Sequence, residues 1–202
     1  MNRPIASLVL LLLLAGCAGY TLVPPGRVKV GDDLSVEANA AWTRISDQNA
    51  FSTSTVEMWT RDGANLGSVV YIYGIADGQP VLKRAARGVE VDEGASKGTV
   101  PVFRKNMSPT EIMELFDATI ARVMETAITR PANLQPATFA GERGFRFDYG
   151  YTGNDKLERS GVVVGAIREG RLFLIFYFGS SLYHFERDRQ EVETIIASAR
   201  FV

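Results

Sequence analysis

The chain has 202 residues, with 22 Lys and Arg against 23 Asp and Glu, one histidine and one cysteine. With no basic excess it is a poor candidate for binding nucleic acid or anionic lipid through charge. The lone cysteine rules out an internal disulfide, and the lone histidine rules out a site built on two imidazoles.

The first residues carry one positive charge, Arg3, followed by an apolar run over residues 5–14 and then Leu14-Ala15-Gly16-Cys17. This is the layout of a secretory leader. The ten residues of this run rise only about 15 Å as a helix, against a hydrocarbon core of about 30 Å, so a lasting transmembrane span is not expected. Leu14-Ala15-Gly16-Cys17 resembles the lipobox of bacterial lipoproteins. The resemblance implies a diacylglyceryl group on the Cys17 thiol, cleavage before Cys17, and acylation of the new amine by a chain such as palmitate. Two or three chains suit stable anchoring, since one binds a membrane only marginally. Ala18 stands where aspartate would signal inner-membrane retention, so the analogy points to the outer membrane, periplasmic face. The competing reading is ordinary secretion with cleavage after Ala18.

These readings divide the chain into a signal peptide (1–16), a lipidated tether (17–26) and a single α+β domain (27–202). Cleavage removes Arg3 and leaves 186 residues (202 less 16), with 21 basic and 23 acidic side chains. That length suits one domain held by an apolar core.

Residues 20–26, with Pro24-Pro25, read as an extended tether. Val28, Val30, Leu34 and Val36 alternate around Gly31-Asp32-Asp33, as a strand with a turn inside it. Residues 47–54 read as a loop. Val56 to Thr60, then Arg61-Asp62-Gly63-Ala64-Asn65, then Leu66 to Ile75 read as a β-hairpin, with Asp-Gly supplying the turn. The second strand is apolar on both sides and is expected to be covered on both. Residues 77–107 lose periodicity and read as a mobile or partly ordered loop.

Ser108-Pro109-Thr110-Glu111 opens a helix with a capping box and proline in the first turn. Its apolar stripe is Ile112, Phe116, Ile120, Val123 and Ala127, widened by Leu115 and Met124, and the helix is expected to run to about Thr129. Residues 136–139 then turn through Gly141-Glu142-Arg143-Gly144 into Phe145 to Tyr151, where aromatics fall at every second position. Residues 159–167 and 172–178 read as central strands joined by Arg168-Glu169-Gly170-Arg171. A last helix carries Val192, Ile195, Ile196 and Ala199 on one face, and Arg200-Phe201-Val202 closes the chain as a short extension. An antiparallel sheet with two apolar faces and two helices implies an α/β/α sandwich of the α+β class. A curved half-barrel closed by loop 77–107 is the alternative.

Catalytic constellations are scarce. His184 reads as a packing or capping residue. Ser180 and Ser181 near it lack a Gly-x-Ser-x-Gly elbow. Asp32-Asp33 and Asp92-Glu93 read as turn residues rather than metal ligands, and Gly94 to Gly98 is not a phosphate cradle. No cofactor or metal is expected, and the chain does not read as an enzyme. Trp42, Trp59, Tyr71, Tyr73, Phe145, Phe147, Tyr149 and Tyr151 could line a groove, but alternating aromatics on strands read first as core. The expected surface for a partner or ligand is the hairpin, at Trp59, Arg61, Asp62 and Asn65, beside loop 77–107.

The order of elements, ending in Ile195-Ile196-Ala197-Ser198-Ala199-Arg200-Phe201, resembles the PsbP-like fold over roughly residues 27–202. That resemblance implies a sheet between helices and a noncatalytic assembly or binding module. The function expected is therefore a lipid-anchored envelope module with a protein partner. The alternative is a lipoprotein that holds a small apolar or glycan ligand in an aromatic groove.

Overall fold

The computed structural model describes residues 19–45, 55–82, 101–126 and 128–202. In chain order its elements are β1 (Tyr20–Val23), β2 (Gly26–Val30), β3 (Leu34–Ala38), β4 (Trp42–Ile45), β5 (Val56–Thr60), β6 (Gly67–Ile75), α1 (Pro109–Val123), β7 (Thr129–Phe139), β8 (Glu142–Thr152), β9 (Glu158–Arg168), β10 (Arg171–Ser180), α2 (His184–Ser198) and β11 (Arg200–Phe201). Eight strands form one antiparallel sheet in the order β1-β4-β5-β6-β10-β9-β8-β7, and β11-β3-β2 form a second, smaller one. The β-branched and aromatic runs in β6, β9 and β10 occupy the middle, as strands covered on both faces must. β6 and β10 pair along their length, Val69 opposite Tyr177, and so join the two halves of the chain.

On one face α1 lays Ile112, Leu115, Phe116, Ile120 and Val123 against the sheet. The alternation in β8 sends Phe145, Phe147, Tyr149 and Tyr151 to this side, with Arg146 and Asp148 opposite. The Phe116 ring meets Phe147, Tyr149 and Phe176 edge-on at centroid distances of 5.7, 5.2 and 5.0 Å. Gly161, on β9 between these rows, makes room for them: a Cβ there would sit 3.0 Å from the Phe176 ring and 2.6 Å from the Tyr177 carbonyl oxygen. On the other face Val192, Ile195 and Ile196 of α2 join Val162, Val164, Ile175, Tyr177, Val69 and Tyr71.

The α+β sandwich is present, with four departures from the expectations. Tyr20–Val23, read as tether, is a strand paired with β4, Tyr20 opposite Ile45. The small sheet shares the α2 face, because β3 supplies Leu34 and Val36 to the same apolar cluster. α1 ends at Val123, about six residues early. Glu125 takes φ +51 just past the helix, and the amides of Thr126 and Glu125 donate to the carbonyls of Ala121 and Arg122 at 3.0 and 3.3 Å. This is a Schellman stop with glutamate in the place usually held by glycine. The residues from Thr129 then form β7, a strand hidden in the sequence by Pro131 and Pro136. An edge strand tolerates proline, since one side of its backbone has no ladder partner.

The helix start, the hairpin at 61–66, the β9–β10 turn and the closing strand are where the pattern puts them. Of the aperiodic segment 77–107, the two described ends, residues 77–82 and 101–107, are ordered and held together. The Gly78 amide donates to the Phe103 carbonyl and the Phe103 amide to that of Gln79, both at 2.8 Å. Cys17 and its lipobox, loop 47–54, Asp92-Glu93 and Gly94–Gly98 lie outside the described residues.

Candidate functional site

The hairpin residues named from the sequence do not form one surface. Trp59 is fully buried, its ring 4.7 Å from Tyr71 and its indole N–H donated to Glu57 Oε1 at 2.5 Å. The alternation of β5 turns it into the α2-side core, so it is no part of an exposed site. Arg61, Asp62 and Asn65 are exposed but engaged. Arg61 Nη1 lies 2.8 Å from Asp188 Oδ1, and Arg187 bridges Asp62 and Asp188. The Arg187 guanidinium holds the Asp62 carboxyl below its usual range. The Asn65 carbonyl accepts from Arg159 Nε at 2.9 Å. Asp188, one turn into α2, is itself buried. The cluster therefore ties the hairpin to the start of α2.

Ser180 and His184 do meet: Ser180 Oγ is 2.7 Å from His184 Nδ1, and the same oxygen accepts from the His184 amide at 3.4 Å. Ser181 instead faces Ser160, Oγ to Oγ 2.8 Å. A triad needs a carboxylate behind the imidazole. The buried carboxylate next along the helix, Asp188, is held by Arg61 and Arg187 instead. Ser180 is buried, and its bonds fasten the first turn of α2. Asp33 sits beside Arg171 at 3.4 Å. Among the described residues no three His, Cys, Asp or Glu side chains converge as metal ligands.

Seven of the eight aromatics that could have lined a groove are core: Trp42, Trp59, Tyr71, Phe145, Phe147, Tyr149 and Tyr151 are each at most 3% exposed. A concavity does exist, at the opposite end of the strands from the hairpin. It is an open cleft of about 820 Å³ where the first turn of α1 stands over β7 and β8. Met107, Ile112, Leu134 and Ile167 supply apolar walls, and among the described residues Phe145 is its one aromatic and Arg143 the one ionisable side chain lining it. This volume matches a site for a small organic ligand or a short peptide segment. Apolar walls with a guanidinium beside them can bind and orient a ligand that has an apolar body and an acidic end. The cleft exists because β7 runs eleven residues to Phe139 and turns back through Ala140-Gly141, both at positive φ.

No family model and no curated protein matches the chain. Its likeness is to solved structures. The cyanobacterial PsbP, CyanoP, of Synechocystis sp. PCC 6803 superposes with a TM-score of 0.54 at 12% identity, covering 93% of this chain and 95% of that one. The fold is PsbP-like. A second structure, LpqN, involved in cell envelope biogenesis of Mycobacterium tuberculosis, matches at a TM-score of 0.36 and 10% identity, covering 93% of this chain and 87% of that one. At such identities a PsbP-like likeness speaks for architecture and carries no site residue across.

Proposed function

We propose that the mature chain is a lipoprotein anchored through Cys17 to the outer membrane, facing the periplasm, and that it works by binding a protein partner rather than by catalysis. The lipobox at the end of a correctly built leader carries this reading. Intact-mass measurement of the native protein tests it. The expected product starts at Cys17 and carries diacylglyceryl and acyl groups, and Cys17→Ala remains unacylated with the domain folded. A bare N-terminus downstream of Cys17 overturns it.

Binding rather than catalysis is supported by how the polar side chains are used. Arg61, Asp62, Arg187 and Asp188 satisfy one another, and Ser180 and His184 fasten a helix start. The cleft under α1 favours a second reading, in which a small apolar ligand lies along Leu134 and Ile167 with an acidic end at Arg143. An aromatic groove is no longer part of that reading. Photocrosslinking from Thr138 in membranes, followed by mass spectrometry, separates the two. One stoichiometric protein adduct supports the partner, and a co-purifying lipid or acid supports the ligand.

A further inference from the structure

The edge strand β1 begins three residues after Cys17, with only Ala18 and Gly19 between. At about 3.3–3.6 Å per residue, the Tyr20 backbone lies within roughly 11 Å of an anchored Cys17. The headgroup layer is itself about 5–7 Å thick on each side of the hydrocarbon. Such a leash cannot hold the domain away from the bilayer; it brings the edge of the sheet down to it.

That edge is suited to the contact. Among the described residues β1 has one neighbour, β4, so its outer backbone groups face away from the sheet. Tyr20 and Leu22 project from the same side of the strand and are 62% and 69% exposed, while Val23 turns into the core. Tyrosine partitions to headgroup level, where its ring is shielded and its hydroxyl stays wet. Leucine beside it adds apolar area.

We infer that β1 lies on the bilayer, with Tyr20 and Leu22 in the headgroup layer, so that the membrane covers this open edge of the sheet. The inference rests on acylation of Cys17. It also sets the direction of the molecule. Seven strand spacings of about 4.8 Å separate β1 from β7, so the cleft under α1 is carried roughly 30 Å from the lipid surface.

Because Cys17 is the only cysteine and its sulfur is used by lipid, a second cysteine takes a spin label cleanly. The acylated mature chain, with Leu22→Cys or Thr138→Cys and a nitroxide, is reconstituted in phosphatidylethanolamine–phosphatidylglycerol vesicles. At residue 22, oxygen collisions should rise and nickel-chelate collisions fall relative to residue 138. If mass spectrometry shows acylation and both labels are equally open to the chelate, the inference is wrong and the lipoprotein reading stands. If Cys17 carries no lipid, that reading falls first. Shielding at residue 22 that persists in the lipid-free Cys17→Ala chain, running at twice its monomer mass, assigns the edge to a second copy and also overturns the inference.

Discussion

The two ends of the strands are built from different materials. At the end that carries the 61–66 turn, charged side chains face one another: Arg61 and Arg187 on Asp188, Arg187 on Asp62, Arg159 on Asp155. At the other end Arg168 pairs with Glu142 and Glu169, and Arg171 with Asp33, but the cleft walls there are Leu134, Ile112 and Ile167, with Arg143 the one ionisable side chain among the described lining residues. Exposed charge on a loop is thus a poor pointer to function here. It closes the gap between hairpin and helix, whereas the described walls of the available concavity are mainly apolar. If this contrast is right, substitutions at the first end move stability and leave binding alone, whereas substitutions at the cleft do the reverse.

Asp188→Ala should have the largest effect. It takes the shared carboxylate from two partly exposed guanidinium groups, and losing hydrogen bonds to a charged group costs about 1.5–3 kcal/mol. Urea unfolding reads it, and a loss under about 1 kcal/mol would mean that the cluster is a surface decoration. The acid limb is a milder test of the same end. Arg159 holds the Asp155 carboxyl down to about 2, from an ordinary 3.8. A carboxyl lowered on folding contributes its stability above the unfolded value and loses it as pH falls through the folded one. Stability should therefore decline from about pH 4 towards pH 2, and Asp155→Asn should flatten that decline. With Asp155 48% exposed, the effect is about 1 kcal/mol or less, and smaller in high salt. Ser180→Ala removes the bond to His184 and should cost about 1 kcal/mol. Calorimetry should show the loss with partner binding unchanged. Unchanged stability with lost function would instead give Ser180 and His184 a chemical role.

What was legible in the sequence follows the range of the forces involved. Ser108 to Glu111 announced α1 because a capping box is complete within four residues, and the Ser108 and Glu111 side chains do bond reciprocally. The alternation of Phe145 to Tyr151 placed β8 because one period decides its face. The end of α1 was misread because the positive φ of its stop falls on Glu125, where no glycine marks it. Trp59 reads as surface from the sequence because a two-residue alternation does not say which face is inward until the sheet is assembled. The cleft was hidden for a related reason. Its residues come from α1, β7, β8 and β9, and only the long antiparallel return of β7 on β8 brings them together. The bulge between Ala132 and Gln135 also breaks the periodicity that would have shown β7.

The smallest expected change in stability is also the sharpest test of the comparison. Pro136 lines the cleft from an edge strand, is exposed, and lies opposite Phe145 on the α1 face of the sheet, so Pro136→Trp places a ring in the open volume instead of displacing packed neighbours. Unfolding free energy should stay within about 0.5 kcal/mol, as for substitutions that touch neither core nor ion pairs. The crosslink from Thr138 should nevertheless vanish, because filling the cleft excludes whatever occupies it. If the stability holds and the crosslink survives, binding lies elsewhere on the domain and the cleft is only a gap beneath α1. If the stability falls by several kcal/mol, the cleft is part of the core and the division between the two ends does not hold.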